Sequence, residues 1–272
     1  MVGVLIAAWL ASASAAPPLV LPAPIPAPRP AMWLVRDADT TIYLFGTFHT
    51  LDGRIPWFRD GVRTAFSASD ELVLETVIPE QPRLAPVPAT LPAGRAQPIN
   101  TFTVAPGASF LASARLAVSA GRERGMQVSK GADMVLRRAA EFEGKSVEGL
   151  ETFDFQLGMV NRMAPVQPAG SQNREDSRAK EELAAVMSMM QTAWSQGDQR
   201  VFADLLDQMR IATPNNYRVM FPERNGHWAD WIIDRMDRPG TVFVAVGAGH
   251  FAGPDSVLSK LTLKGVVATR VN

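Results

Sequence analysis

The chain has no cysteine in its 272 residues. That excludes disulfides, thiolate nucleophiles and cysteine-based zinc or iron–sulfur sites. Net charge is also missing, because 27 Lys and Arg balance 27 Asp and Glu. No overall field therefore draws the molecule toward nucleic acid or an anionic membrane surface. No apolar run approaches the roughly 20 residues that cross a bilayer. Histidine is scarce: His49, His227 and His250 are the whole supply of imidazole. The patterns H-E-x-x-H, G-x-x-x-x-G-K-[ST] and G-x-S-x-G are absent, which sets aside the zincins, P-loop NTPases and serine hydrolases that they mark.

What is present is a 47% hydrophobic chain, long enough for one substantial core in a single catalytic-sized domain. Residues 1–16 read as a secretory signal peptide, with an apolar run from Val2 to Leu10 and an A-x-A pattern at Ala13-Ser14-Ala15. The expected location is periplasmic or secreted, with no stable membrane span once the signal is cleaved. Residues 17–31, PPLVLPAPIPAPRPA, read as an extended tether outside the core.

From residue 32 to 272 apolar runs alternate with helical patterns. Strands are expected at TIYLFGT (41–47), ELVLET (71–76), SVEGLE (146–151), TVFVAV (241–246) and VVATRV (266–271). Helices are expected over 56–69, 132–145 and 174–198, the last with an apolar face through Leu183, Val186, Met187 and Met190. The methionines read as core filler. A further helix within 221–236 turns Trp228, Trp231 and Ile232 to the core and leaves His227 on its surface. The alternation implies an α/β fold with a mostly parallel central sheet flanked by helices. Residues 78–110, rich in Pro, Ala and Gly, receive no assignment.

Four of these strands run into groups able to do chemistry: His49, Glu75, Glu151 and His250. In an open parallel sheet, loops at the carboxyl ends of the strands share one crevice, where ligands bind. The two histidines share a local form, GTFH (46–49) and GAGH (247–250), and glycine is expected there to let the backbone turn sharply at the strand exit. Gly247, Gly249 and Ala252 also fit the G-x-G-x-x-A dinucleotide pattern. However, no acidic residue follows Asp255 to meet a ribose, so the nucleotide reading is set aside.

Two imidazoles with one or two carboxylates suit a divalent transition metal, Mn, Co, Zn or Fe, better than Mg or Ca. A glutamate not bound to metal would serve as general base. The rival chemistry is metal-free, with His49 or His250 activated by Glu75 or Glu151. Arg224 pairs with a site carboxylate, binds substrate or forms a surface ion pair. Asp133, in KGADMVL, reads as a helix N-cap, with a site role as its second reading.

The ordered set GTFHTL, ELVLET, KGADMVLRRAAEFEGKSVEGLET, FPERNGHWADWI and VFVAVGAGHFAGPDSVLSKLTLKG resembles the TraB/GumN family, which includes TIKI-type metalloproteases. The resemblance spans most of residues 32–272. It implies an EreA/ChaN-like α/β fold with a helical covering layer, and metal-dependent hydrolysis of a peptide or small-molecule substrate. It places functional positions at His49, Glu75, Glu151, Arg224, Asn225 and His250, with Asp133 as a further candidate. His49, His250, Glu75 and Glu151 are then the metal ligands, with the glutamates shared between ligation and base duty. Arg224 and Asn225 orient a carboxylate or stabilise an oxyanion. The alternatives are a metal-free esterase-like hydrolase and a non-catalytic envelope protein linked to polysaccharide biosynthesis. The chain departs from the family pattern in its Pro/Ala-rich stretch at 80–107.

Overall fold

The fold is taken from a computed structural model that describes residues 27–77, 116–163 and 173–272. The expected signal peptide, the tether up to residue 26 and the stretch 78–110 lie outside the described residues. The tether reading ends too late in one respect. Ala31 is buried, and the Arg29 N–H donates to Ser195 O, so the last residues before 32 pack on the body.

Six strands make one mixed sheet: β1 (Met32–Arg36), β2 (Thr40–Thr47), β3 (Glu71–Thr76), β4 (Ser146–Glu151), β5 (Gly240–Gly247) and β6 (Thr269–Arg270). Their order is β4-β3-β5-β2-β1-β6. The four strands from β4 to β2 are parallel, and β1 is antiparallel to both of its neighbours. The mostly parallel sheet expected from the alternating pattern is therefore present. Sequence patterning assigned no strand to 32–36. Asp37 makes it a hairpin partner of β2, because its Oδ1 accepts from the Asp39 and Thr40 N–H groups and closes a tight turn. The last strand is shorter than the expected 266–271, pairing with β1 only at Thr269 and Arg270.

Alternation along the strands feeds two cores. Phe45, Leu72, Leu74, Phe243 and Ala245 face one side, where they meet α1 (Asp60–Ala68), α3 (Ala132–Glu143) and Trp194. Ile42, Leu44, Val73, Val242 and Val244 face the other, against Trp228, Ala229 and Ile232 of α8 (Pro222–Met236) and Leu261 of α9 (Val257–Leu263). Helix α3 stops at Gly144, whose left-handed φ of 68° lets its N–H and that of Lys145 return to Ala140 O. Helix α8 starts with Pro222 in its first turn, where a missing N–H costs nothing. A helix through 116–123 (α2), α4 (Phe153–Arg162), α5 (Asn173–Ser195), α6 (Arg200–Ala212) and α7 (Pro214–Met220) complete the described elements. Met187 of α5 is buried and Met190 is partly buried, as core filling predicts.

The topology creates the crevice. The chain leaves β2 through α1 on one face and returns in β3, while β5 fills the space between them. The exit of β5 leads to α9 on the opposite face. Adjacent parallel strands whose connections diverge in this way leave an opening at their carboxyl ends.

Candidate functional site

The exits of β2, β3 and β5 bring His49, Glu75 and His250 together, and β4 adds Glu151 one strand further out. In the β2/β5 register Gly46 lies opposite Val246 and Thr47 opposite Gly247. The two glycines work differently from the expectation. Gly247 has an ordinary φ of −50°, and neither it nor Gly46 has the left-handed backbone that only glycine tolerates well. What they provide is clearance. A Cβ on Gly46 would sit 3.2 Å from Ala248, and one on Gly247 would sit 3.0 Å from Glu75 Oε1 and 3.3 Å from His49 Nε2.

Glu75 is the hub. Its Oε1 accepts from the Gly247 N–H at 2.7 Å and lies 3.8 Å from both His49 Nε2 and His250 Nε2. Its Oε2 accepts from Arg224 Nη2 at 2.8 Å. Each imidazole is anchored through its other nitrogen. His49 Nδ1 donates to Asp133 Oδ1 at 3.1 Å, and His250 Nδ1 donates to Asn225 Oδ1 at 2.6 Å. Asn225 is fixed in turn by donating from Nδ2 to Asp255 O. With Nδ1 as donor, a neutral ring presents the lone pair of Nε2, and in both histidines Nε2 is the nitrogen that faces Glu75.

Arg224 is buried beneath this group and stacks on Trp228, its Cζ 4.6 Å from the ring centre. Nε and Nη2 donate to the two oxygens of Glu151 at 2.7 and 2.9 Å, Nη2 also to Glu75, and Nη1 to Met220 O and, at 3.3 Å, to His250 Nε2. These bonds match the five N–H groups of a guanidinium. Arg224 thus pairs with site carboxylates, the first of its expected readings, and ties Glu75, Glu151 and His250 together.

Glu151, read as ligand or base, is here tied to other side chains. Beyond Arg224 it accepts from Trp228 Nε1 at 3.1 Å and Gln156 Nε2 at 3.3 Å, so both its oxygens are committed. Asn225 is buried behind His250, where it fixes the ring instead of meeting an oxyanion. Asp133 is not the N-cap. Gly131 holds that position without a side-chain bond, and Asp133 in the first turn of α3 reaches His49 instead. The sequence signal for this was weak, since an acid in a first helical turn is common for dipole reasons alone. His227 is exposed on α8, as expected.

The two histidines differ in charge. Burial, reinforced by Arg224 and His49, pushes His250 down to about 3 against the pull of Glu75, so its ring is neutral at ordinary pH. Around His49 the surrounding protein also opposes charge, but the hydrogen bond and charge of Asp133, together with Glu75, raise it to about 9. Burial opposes the charge of Glu75 as well. The neighbouring imidazoles, Arg224 and the Gly247 N–H overcome it and hold the carboxyl well below the usual carboxylate range.

Among the described residues no group of three or more His, Asp or Glu side chains closes into a ready-made metal cage. The open set His49 Nε2, His250 Nε2 and Glu75 Oε1 nevertheless fits a divalent ion chemically. Each imidazole Nε2 lies 3.8 Å from the carboxylate oxygen, less than twice a metal bond of about 2.1 Å, so each could share an ion with Glu75. Gly247 keeps the space between these donors clear of side chain. Loading would take a proton from His49 and draw Arg224 Nη1 away from His250.

An α/β protein with an imidazole–carboxylate site at the switch point of its sheet is the class that these observations define. The chain matches the TraB/PrgY/gumN family over residues 31–98 and 89–270, and it belongs to that family. Neither a curated protein nor a solved structure matches it significantly.

Proposed function

We propose that the chain is a metal-dependent hydrolase that cuts peptide bonds, with one divalent transition ion held by His49, His250 and Glu75. The observation that carries this reading is that both imidazole Nε2 atoms lie 3.8 Å from Glu75 Oε1, each ring anchored from behind by its own Nδ1 partner. An ion in that donor set supplies Lewis acidity, which acidifies water and polarises a carbonyl. Asp133 and Asn225 fix the rings, and Arg224 with Glu151 fixes Glu75. Asp133 lines the cavity beside His49 and Glu75 and is 25% exposed. It is our assignment for the group that takes a proton from water and returns it to the leaving amine. Water thus adds across the C–N bond, its hydroxyl to the acyl carbon and its proton to nitrogen.

A metal-free reading keeps the same residues, with His49 as a charged general acid. It draws support from Arg224 Nη1, which already meets the His250 lone pair at 3.3 Å. Turnover of a peptide mixture, followed by mass spectrometry after chelation and after adding back Mn, Co, Zn or Fe, separates the two. Loss on chelation with recovery on one metal supports the first reading, and chelator-resistant turnover supports the second. Absence of both turnover and metal retention would overturn the enzyme altogether. Export is part of the proposal and rests on the short apolar leader at residues 2–10; N-terminal sequencing of the mature protein tests it. Among the described residues no helix is long and apolar enough to cross a membrane.

A further inference from the structure

Two cavities meet at the site, and they differ in how many charged and polar side chains stand in their walls. Thr47, His49 and Glu75 line both. The larger, about 390 Å³, continues past Asp133, Arg137 and Gln156, which stand among Leu74, Met134 and Ala245. The smaller, about 290 Å³, is roofed by Met190, Phe202, Leu205, Leu206, Met220 and Phe221, contributed by α5, α6 and the α7–α8 junction. Its charged and polar groups are confined to the floor, where the donors of Arg224 are engaged within the protein. A chamber at the lower end of the roughly 300–1,000 Å³ of ligand pockets has ample room for one bulky side chain.

We infer that the substrate carries one bulky apolar side chain next to the bond that is cut, seated under Leu206 and Phe221, with its polar remainder in the larger cavity. This deepens the peptidase reading and rests on it for the position of the cut bond. Apolar walls reward each buried methylene and leave a charged side chain without a partner. The roof is also what makes the fit tight. Phe221 would lie 3.3 Å and Leu206 3.9 Å from a Cβ on Gly249, so the glycine lets the roof close onto the turn that carries His250.

The test uses the full chain and the peptides acetyl-X-Ala-amide and acetyl-Ala-X-amide, with X as Gly, Leu, Phe, Asp or Lys. Binding is read by saturation-transfer NMR and turnover by mass spectrometry. Leu or Phe in one series is expected to exceed Gly by about 10-fold or more, with Asp and Lys below Gly. Leu206→Trp, which fills the chamber, should level the Leu and Gly peptides. Leu206→Ala, which opens it with less risk to folding, should move the preference from Leu toward Phe. Apolar-selective binding without turnover sinks the hydrolase reading and leaves the chamber standing. Turnover without apolar preference, or equal binding of Asp and Leu peptides, overturns the chamber and spares the hydrolase. Failure of every peptide to bind overturns the chamber as well.

Discussion

His49 and His250 follow adjacent parallel strands in the same G-x-x-H form, yet the protein treats them as opposites. His250 has 6% of its side chain exposed, lies 4.4 Å from Trp228 ring to ring, and is anchored by a neutral amide. His49 is 57% exposed and anchored by a carboxylate. One ring is therefore kept neutral and rigid, and the other is charged and faces the cavity. The motif fixes where an imidazole stands; the partner behind it, supplied by a distant helix, fixes what the imidazole can do.

The sharpest way to break this contrast is to remove the cation that serves both carboxylates. Arg224→Ala leaves buried Glu151 with no cation and Glu75 with only the half-exposed His49 as countercharge. Breaking a buried ion pair from one side costs about 3–5 kcal/mol. Urea denaturation should show a loss of that size, together with loss of the ordered site. A change below about 1 kcal/mol would mean that Arg224 is dispensable to the fold, as a surface pair is.

Truncating the rings themselves comes next. His250→Ala removes a ring packed between Trp228 and Phe221 and is expected to cost about 3 kcal/mol, the low end for a buried aromatic. His49→Ala should cost about 1 kcal/mol or less, because an exposed ion pair contributes little. Both should abolish peptide turnover. Equal stability losses in the two variants would erase the distinction between a structural and an open imidazole.

Much of this arrangement was legible in the chain. TIYLFGT and TVFVAV carry β-branched and aromatic runs, ELVLET an apolar one and SVEGLE a weaker signal, and position at their exits singles out His49, Glu75, Glu151 and His250. The roles were less legible, because a role depends on a partner. Glu151 looked like Glu75 until Trp228 and Gln156 were seen to take up its oxygens alongside Arg224. Asp133 looked like a cap because its contact with His49 crosses 84 positions of sequence. Strand β1 escaped notice because five residues beside a proline-rich stretch carry little periodic signal, and its hairpin depends on one Asp37 side chain. The spacing of the glycines before the histidines marks the site, but not for the backbone turn that glycine suggests. Their missing side chains, not their backbone freedom, admit the neighbouring strand exits.

The smallest expected effect is also the most specific, since it exchanges the anchors of the two rings. In Asp133→Asn, His49 should lose its charged partner, and its titration, read from ring-proton NMR shifts of the ion-free protein, should fall from about 9 toward the ordinary 6.5. Asn225→Asp should move His250 upward from about 3. The same shift predicts a stability profile. Folding raises the pKa of His49, so the folded state holds that proton more tightly than the unfolded chain. Its contribution is complete below pH 6.5 and disappears as pH rises through about 9. The effect is modest because the ring is more than half exposed and its charge is screened. Unfolding curves at several pH values across that window should converge for Asp133→Asn while the parent chain loses stability. A parent profile flat through the window would mean that folding does not raise His49 at all, and a His49 that still titrates near 9 once the carboxylate at position 133 is an amide would assign the charge to Glu75 alone; either removes the carboxylate anchor as the cause of the asymmetry.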